Sequence, residues 1–429
     1  MIVTLKVEIS FMKKFDIPVV YRSPLISAIK KKRREEDKLK RDFSPTVLDF
    51  GDVEIYLARH FGFCYGVENA IEIAFKTVEE NPDKKVYLLS EMIHNPHVND
   101  DLKSRGVEFL MDTKGNTLIP FEKLLAGDIV IVPAFGTTLQ IEEQLQNAGV
   151  EIGEYNTTCP FVEKVWNRAQ AISKNNYSVI IHGKPEHEET RATFSHSALH
   201  APTVIIKDMK EAIELASYVL GTNNDPETFY TRFKGRYSSG FKVDKDLQRI
   251  GVVNQTTMLA NETQAIADYL KNIMIKKFDL SKDTVAERFA DTRDTLCYAT
   301  HENQGAVYSL LETQADLAIV IGGYNSSNTS HLVELCEEKL PTYFINSEEE
   351  IVSSKEIKHY NFHKKERLTT LSYLPEKRPV KILLTSGASC PDSLIEGVIT
   401  KIVGFFNNTK DLEEVIKELS VSPSLSPSH

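Results

Sequence analysis

The sequence predicts an α/β fold with mainly parallel sheets, built from one unit of strands and helices repeated three times around a shared cavity. Three observations carry that expectation. Short apolar runs alternate with stretches of helical periodicity, which implies parallel strands joined by helical crossovers. The same order of elements recurs three times between about residues 52 and 405, and such recurrence reveals architecture better than local propensity does. Each recurrence places one cysteine, Cys64, Cys159 or Cys297, where a helix is expected to begin.

Composition narrows the class. With 429 residues, 41% hydrophobic and 26% charged, the chain is long enough for several buried cores and is neither fibrous nor disordered in character. A formal net charge of -10 argues against general nucleic-acid binding. Five cysteines spread over this length do not make a disulfide framework. Their odd number, with no signal-peptide core and no apolar run long enough to span a bilayer, points to a reducing compartment. That is a bacterial cytoplasm, or the plastid stroma for a plant chain. Metal or redox use then becomes the leading reason for the cysteines.

Residues 1–51 read as an N-terminal extension with an edge strand at 2–9, an apolar stretch at 17–25 and a charge run at 30–38 on a solvated helix. Acidic residues in that run argue against a transit peptide. Met12, followed by Lys13 and Lys14, is an alternative start.

The first domain is expected over 52–155. A strand at 53–58 precedes Cys64, a helix at 67–79 follows, and a strand at 85–89 ends in a loop with His94, Asn95 and His97. The second, over 156–292, has Cys159, a helix at 162–173, a strand at 178–181 and the loop from His182 to Thr190. The third, over 293–408, has Cys297, a helix at 304–313, a strand at 317–321 and the loop from Gly322 to Ser330. These loops fall roughly 28 to 31 positions after each cysteine, which fits one helix and one strand. Each domain then adds a strand, at 128–133, 249–253 and 380–385, that ends in a small-residue loop. In parallel sheets ligands collect at the carboxyl ends of strands, so all six loops are expected to face one cavity. Inserts at 221–240 and 347–375 read as surface excursions from their polar content. A helix at 412–419 and a Ser- and Pro-rich tail at 420–429 close the chain, the tail reading as disordered.

The three cysteines lie about 95 and 138 residues apart, so no pair has zinc-finger or thioredoxin-like spacing. Folding alone could unite them. At helix starts, unpaired N–H groups and the helix dipole favour thiolate and suit an anionic metal-sulfur centre. Three thiolates on a 4Fe-4S cluster leave one iron open as a Lewis acid. Three separate buried cysteines are the plain alternative. Cys336, within a helix, and Cys390 fall outside the pattern and read as non-ligands.

His94 and His187 occupy equivalent loops. Together with Ser326, Ser327, Asn328 and Ser389 they supply donors of little net charge, which suits a diphosphate; loop capping is the ordinary alternative for the Ser and Asn residues. Glu188 and Glu189 form the one acidic pair in these loops, and either could pass a proton, with Thr256 or Thr257 as relay. Helix capping is their alternative role.

These residues carry a resemblance. Phe63-Cys64 with Gly66-Val67, His94-Asn95, Thr158-Cys159-Pro160, His187 with Glu189, Gln255-Thr256-Thr257, Cys297-Tyr298-Ala299-Thr300, Asn325-Ser326-Ser327-Asn328 and Gly387-Ala388-Ser389 resemble the 4-hydroxy-3-methylbut-2-enyl diphosphate reductase family over about residues 52 to 405. The resemblance implies three pseudo-symmetric α/β domains around one central 4Fe-4S iron-sulfur cluster held by Cys64, Cys159 and Cys297, and reductive removal of an allylic hydroxyl in the last step of the non-mevalonate isoprenoid pathway. It implies Glu189 as proton donor with Thr256 in its relay. It also implies His94, His187, Ser326, Ser327, Asn328 and Ser389 around the diphosphate. Phe135 stands where many members have a diphosphate-binding histidine, as in a plant and cyanobacterial-like branch, so no diphosphate role is expected there.

Two rivals remain. An iron-sulfur hydro-lyase acting on a small phosphorylated hydroxy substrate would use the same open iron without electrons. A zinc-stabilised or diphosphate-binding scaffold would close a four-ligand site with a histidine. No Gly-rich dinucleotide fingerprint opens a helix, so electrons are expected from reduced ferredoxin or flavodoxin. Neither nucleic acid nor membrane is an expected partner, and a homodimer stays open.

Overall fold

A computed structural model describes residues 15–150, 152–290 and 295–421. The expected strand at 2–9 and most of the expected tail lie outside them.

Three sheets share one strand order. In the first, Val86–Leu88 lies between Glu108–Phe109 and Ile129–Ile131, all parallel. In the second, Ser178–His182 lies between Thr203–Ile206 and Ile250–Asn254, again parallel. In the third, Leu317–Ile321 lies between Thr342–Ile345 and Val380–Ser386, also parallel. Each time, the strand that follows a cysteine helix is central and two later strands of the unit flank it. This order reverses direction beside the central strand, where parallel sheets open a crevice at their carboxyl ends. The strands read as near-continuous apolar runs because helices cover both faces; every residue of Ser178–His182 and Leu317–Ile321 is buried.

The cysteine helices form as their periodicity predicts, at Tyr65–Glu80, Pro160–Ser173 and Tyr298–Leu310. Each cysteine is the N-cap residue, with extended backbone. Gly62 takes the left-handed turn before Cys64, at φ 77°, where a Cβ would lie 2.8 Å from Asp392 Oδ1.

The expected start of the first domain needs correction. Val53–Leu57 pairs in parallel with Val380–Ser386, not with the first sheet. The same rule holds elsewhere: Asn156, before Cys159, bridges Val132, and Phe289, before Cys297, bridges Ile250. The segment before each cysteine therefore joins the sheet of the preceding unit, and for Cys64 that unit is the third. Residues 15–51 are likewise more than an extension. Thr46–Asp49 adds an antiparallel edge to the third sheet. Helix Pro24–Glu36 buries Leu25, Ile26 and Ile29 with Ile382, Leu384, Ile395 and Ile399. Ser23 caps that helix and Pro24 starts it, so the apolar stretch at 17–25 gives a short 3-10 turn and a helix start instead of a strand. The charge run lies on the helix, and the C-terminal helix, Leu412–Val421, packs nearby through Val415.

Both inserts are structural. In the first, Phe229 and Phe233 on and just after helix Pro226–Arg232 are fully buried, and Phe229 stacks on Phe241 with centroids 5.5 Å apart. Averaged polarity hid aromatic residues spaced to share one helix face. The second is an antiparallel sheet of Ile351–Ser353, Glu356–Asn361 and Glu366–Leu371, with Ile351 and Ile357 buried in the third unit's core and Leu371 exposed.

Candidate active site

Each cysteine hangs from the last loop of another unit. The Cys64 N–H donates to Ala388 O at 3.2 Å, that of Cys159 to Ala134 O at 2.9 Å, and that of Cys297 to Thr256 O at 3.2 Å. Three backbone bonds of one kind thereby draw three distant helices to one point. Gly66 shows how close they come, since a Cβ there would sit 2.6 Å from Cys159 Sγ. Cys297 Sγ also receives the Thr300 N–H at 3.3 Å and lies 3.1 Å from Thr300 Oγ1.

Burial, then the Cys297 and Cys159 sulfurs, pushes the Cys64 thiol up to about 12, and burial pushes Cys159 up to about 11. Cys297 is raised by burial too. The expectation that helix starts alone would favour thiolate is thus outweighed by desolvation and mutual repulsion. Three crowded, buried thiols become thiolates together only beside a strong positive centre, which is what a metal-sulfur cluster supplies. Among the described residues no group of three or more His, Cys, Asp or Glu side chains is set to hold a single metal ion. Cys336 and Cys390 are buried in apolar cores away from the cavity.

The thiols share a cavity of about 90 Å³ with His94, His187, Glu189, Thr256, Ser326, Ser327, Asn328 and Ser389, whereas Glu188, the other acidic candidate, lines a smaller cavity beside it. Phe135, Thr257 and Thr300 line it as well. Thr300 was legible only as part of Cys297-Tyr298-Ala299-Thr300; its hydroxyl, donating to Thr256 O at 2.8 Å, ties two walls together.

On one wall His187 caps helix Glu188–Ala198, its Nδ1 accepting the Glu189 N–H at 3.2 Å. Burial holds His187 well below its ordinary value, so the ring is neutral and its proton is assigned to Nε2. Glu189 is 1% exposed. Its Oε1 accepts the Thr256 N–H at 2.5 Å and its Oε2 the Thr256 hydroxyl at 2.9 Å. Burial lifts its carboxyl to about 7 against those two bonds, so near neutrality it can hold a proton and give it up.

The opposite wall is the start of helix Ser327–Glu337, capped by Ser326, whose Oγ accepts the Thr329 N–H at 3.2 Å. Asn328 Oδ1 accepts from Ala388 N at 2.9 Å and Asn303 Nδ2 at 3.3 Å, which aims the amide. Asn328 Nδ2 and Ser327 Oγ are buried without a hydrogen-bond partner. Buried donors left unpaired beside a cavity mark the place of a ligand that accepts from them. Ser389 Oγ donates to His94 O at 3.2 Å. Among the described residues no lysine or arginine lines this wall.

Thiols, a paired carboxyl and hydroxyl, and neutral donors around one cavity define a class, an α/β enzyme in which three parallel sheets bring thiols and an acid to a single centre. Comparison with known proteins gives the family. The model of the LytB protein family matches residues 55–403. A 4-hydroxy-3-methylbut-2-enyl diphosphate reductase of Picosynechococcus sp. is 42% identical over 353 residues, 82% of this chain and 84% of that one. One from Cyanothece sp. is 38% identical over 397 residues, 92% of this chain and 91% of that one. The chain belongs to this LytB family. The solved structure of the E-1-hydroxy-2-methyl-but-2-enyl-4-diphosphate reductase from Plasmodium falciparum shares its fold, with TM-score 0.57 and 22% identity over 81% of this chain and 86% of that one. Among the described residues no helix is long and apolar enough to cross a membrane.

Proposed function

We propose that this chain reduces (E)-4-hydroxy-3-methylbut-2-enyl diphosphate to isopentenyl and dimethylallyl diphosphates, the final step of the non-mevalonate pathway. The observation that carries this reading is that three thiols, the Glu189–Thr256 pair and unpaired donors line one cavity. Cys64, Cys159 and Cys297 are the residues that would hold a 4Fe-4S cluster, at the meeting point of three pseudo-symmetric domains. When bound, that cluster supplies stored electrons and one open Lewis-acidic iron.

Two electrons and two protons enter; the allylic C–O bond breaks, the hydroxyl leaves as water and one proton ends on carbon. Glu189 protonates the departing hydroxyl, and Thr256 holds the carboxyl by hydroxyl and N–H so that its proton faces the cavity. Ser326, Ser327, Asn328 and Ser389 hold the diphosphate with His94 and His187, helped by the free N–H groups that open helix Ser327–Glu337. The apolar lining from Val67, Ile93 and Val162 excludes water from the carbon skeleton. Reduced ferredoxin or flavodoxin provides the electrons.

Reductant dependence tests the reading against the hydro-lyase. Protein purified without oxygen should contain iron and sulfide and convert substrate only with a reduced donor. Cys297→Ser should lose most of its iron and sulfide. Conversion by the parent without any reductant refutes the reductase reading.

A further inference from the structure

Among the described residues no lysine or arginine lines the diphosphate end of the cavity, yet a buried carboxyl lies directly behind it. Glu188 Oε1 accepts from Ser90 Oγ at 2.5 Å. Its Oε2 is buried without a hydrogen bond and faces His94 Nε2 at 3.5 Å. His94 Nδ1 also lacks a hydrogen bond, with Glu91 Oε2 at 3.6 Å. Phe135 stacks on the His94 ring at 4.2 Å, and His187 Nε2 stands 3.3 Å from His94 Nε2. On its far side Glu188 walls a second cavity of about 30 Å³, together with Ser90, Asp112, Thr138 and Arg191. One carboxyl therefore stands between the anion site and a small second chamber.

An ionised carboxylate in this poorly screened position would repel a diphosphate. Burial already disfavours its charged form. His187 is held neutral and offers no compensation. The remaining charges nearby are Glu91, Asp112, Arg191, whose guanidinium donates to the Glu186 and Thr113 carbonyls, and Lys184, whose Nζ turns to Ser330 Oγ at 3.4 Å.

We propose that Glu188 and His94 form a proton-accepting pair: as the diphosphate enters, one solvent proton passes through the smaller cavity to Glu188 and is shared with His94. His94 then presents an N–H to the anion and the pair carries no net negative charge. Only O–H and N–H bonds change, so no electron donor is needed. The inference rests on the diphosphate reading, and it makes Glu188 a positioning residue while Glu189 serves the hydroxyl.

Calorimetric titration of the cluster-loaded protein with inorganic diphosphate, in buffers of different ionisation enthalpy, counts the protons taken up on binding. The parent should take up about one proton more than Glu188→Gln. Ser90→Ala keeps the carboxyl but removes a donor that favours its charged form, so the pH of half-maximal uptake should move upward. Should Glu188→Gln fail to load its cluster, Ser90→Ala carries the test, and an unmoved uptake profile overturns the proposal. Equal uptake in parent and Glu188→Gln overturns it while leaving the diphosphate site intact. If the parent binds no inorganic diphosphate, the substrate reading fails and this inference falls with it.

Discussion

The loops His187-Glu188-Glu189 and Ser326-Ser327-Asn328 occupy the same place in two units and contain opposite chemistry. Each follows the central strand of a parallel sheet and opens an 11-residue helix. Each begins with a capping side chain that accepts a backbone N–H of the first turn. The backbone delivers Ser326, Ser327 and Asn328 to the cavity in one loop and His187 and Glu189 in the other, with Glu188 turned to the smaller cavity behind. One loop carries groups that gain and lose protons, and the other carries neutral donors that keep their charge at any ordinary pH. In the proposed function, acid catalysis by Glu189 and anion binding by Ser326, Ser327 and Asn328 divide between these two loops on a shared scaffold.

If that division is real, substitutions in the two loops should fail differently. The largest loss is expected at Glu189→Gln, which keeps the shape and the acceptor but removes the acidic proton. Turnover should fall by about a hundredfold or more, with cluster content and diphosphate affinity retained. The parent should also show a pH limb absent from the variant. The acid acts while protonated, and its carboxyl is lifted to about 7, so parent kcat should decline as pH rises through that value. Steady-state kinetics across pH with an artificial reductant reads both. Normal turnover in the variant would move the proton role elsewhere.

The opposite loop should lose binding and keep chemistry. Ser327→Ala removes a buried hydroxyl that has no partner in the protein, and Asn328→Asp keeps the acceptor used by Ala388 while replacing the free amide donor with charge. Each lost bond to a charged group is worth about 1.5 to 3 kcal/mol, or roughly ten- to a hundredfold in affinity. Titration with isopentenyl diphosphate measures it, and the iron-sulfur spectrum should stay unchanged. Unaltered affinity in both variants would remove the anion role from this loop.

The contrast also explains what could be read from the chain. The recurring cysteines, the central strands and all expected cavity residues were legible, because repetition ties local patterns to equivalent places in space. The partner of Val53–Leu57 was not. Its alternation is the same whichever sheet it joins, and only the pairing with Val380–Ser386, more than 300 residues away, decides. The inserts misled for a related reason. Phe229 and Phe233 make a core contribution that mean polarity dilutes, and Ile357 is buried from a strand whose other residues are partly or fully exposed. The Glu188–His94 contact joins two units through side chains alone, so no spacing along the sequence signals it.

The smallest effect is expected between the two loops, at Phe135. Its ring lies nearly parallel to His94, 21° between planes, and edge-on to His187, with centroids 5.6 Å apart. Phenylalanine offers the diphosphate no hydrogen bond, so its part is to keep two imidazoles in place. An aromatic pair of this kind contributes about 0.5 to 1.5 kcal/mol beyond its buried area. Phe135→Ala should therefore weaken binding of isopentenyl diphosphate by about two- to tenfold, less than either loss in the Ser326 loop. Phe135→Tyr retains the ring and should restore most of that loss. A fall of a hundredfold or more in Phe135→Ala, unrescued by Tyr, would mean that this position contacts the anion directly, and the assignment of binding to neutral donors of the third unit would have to widen to include the first.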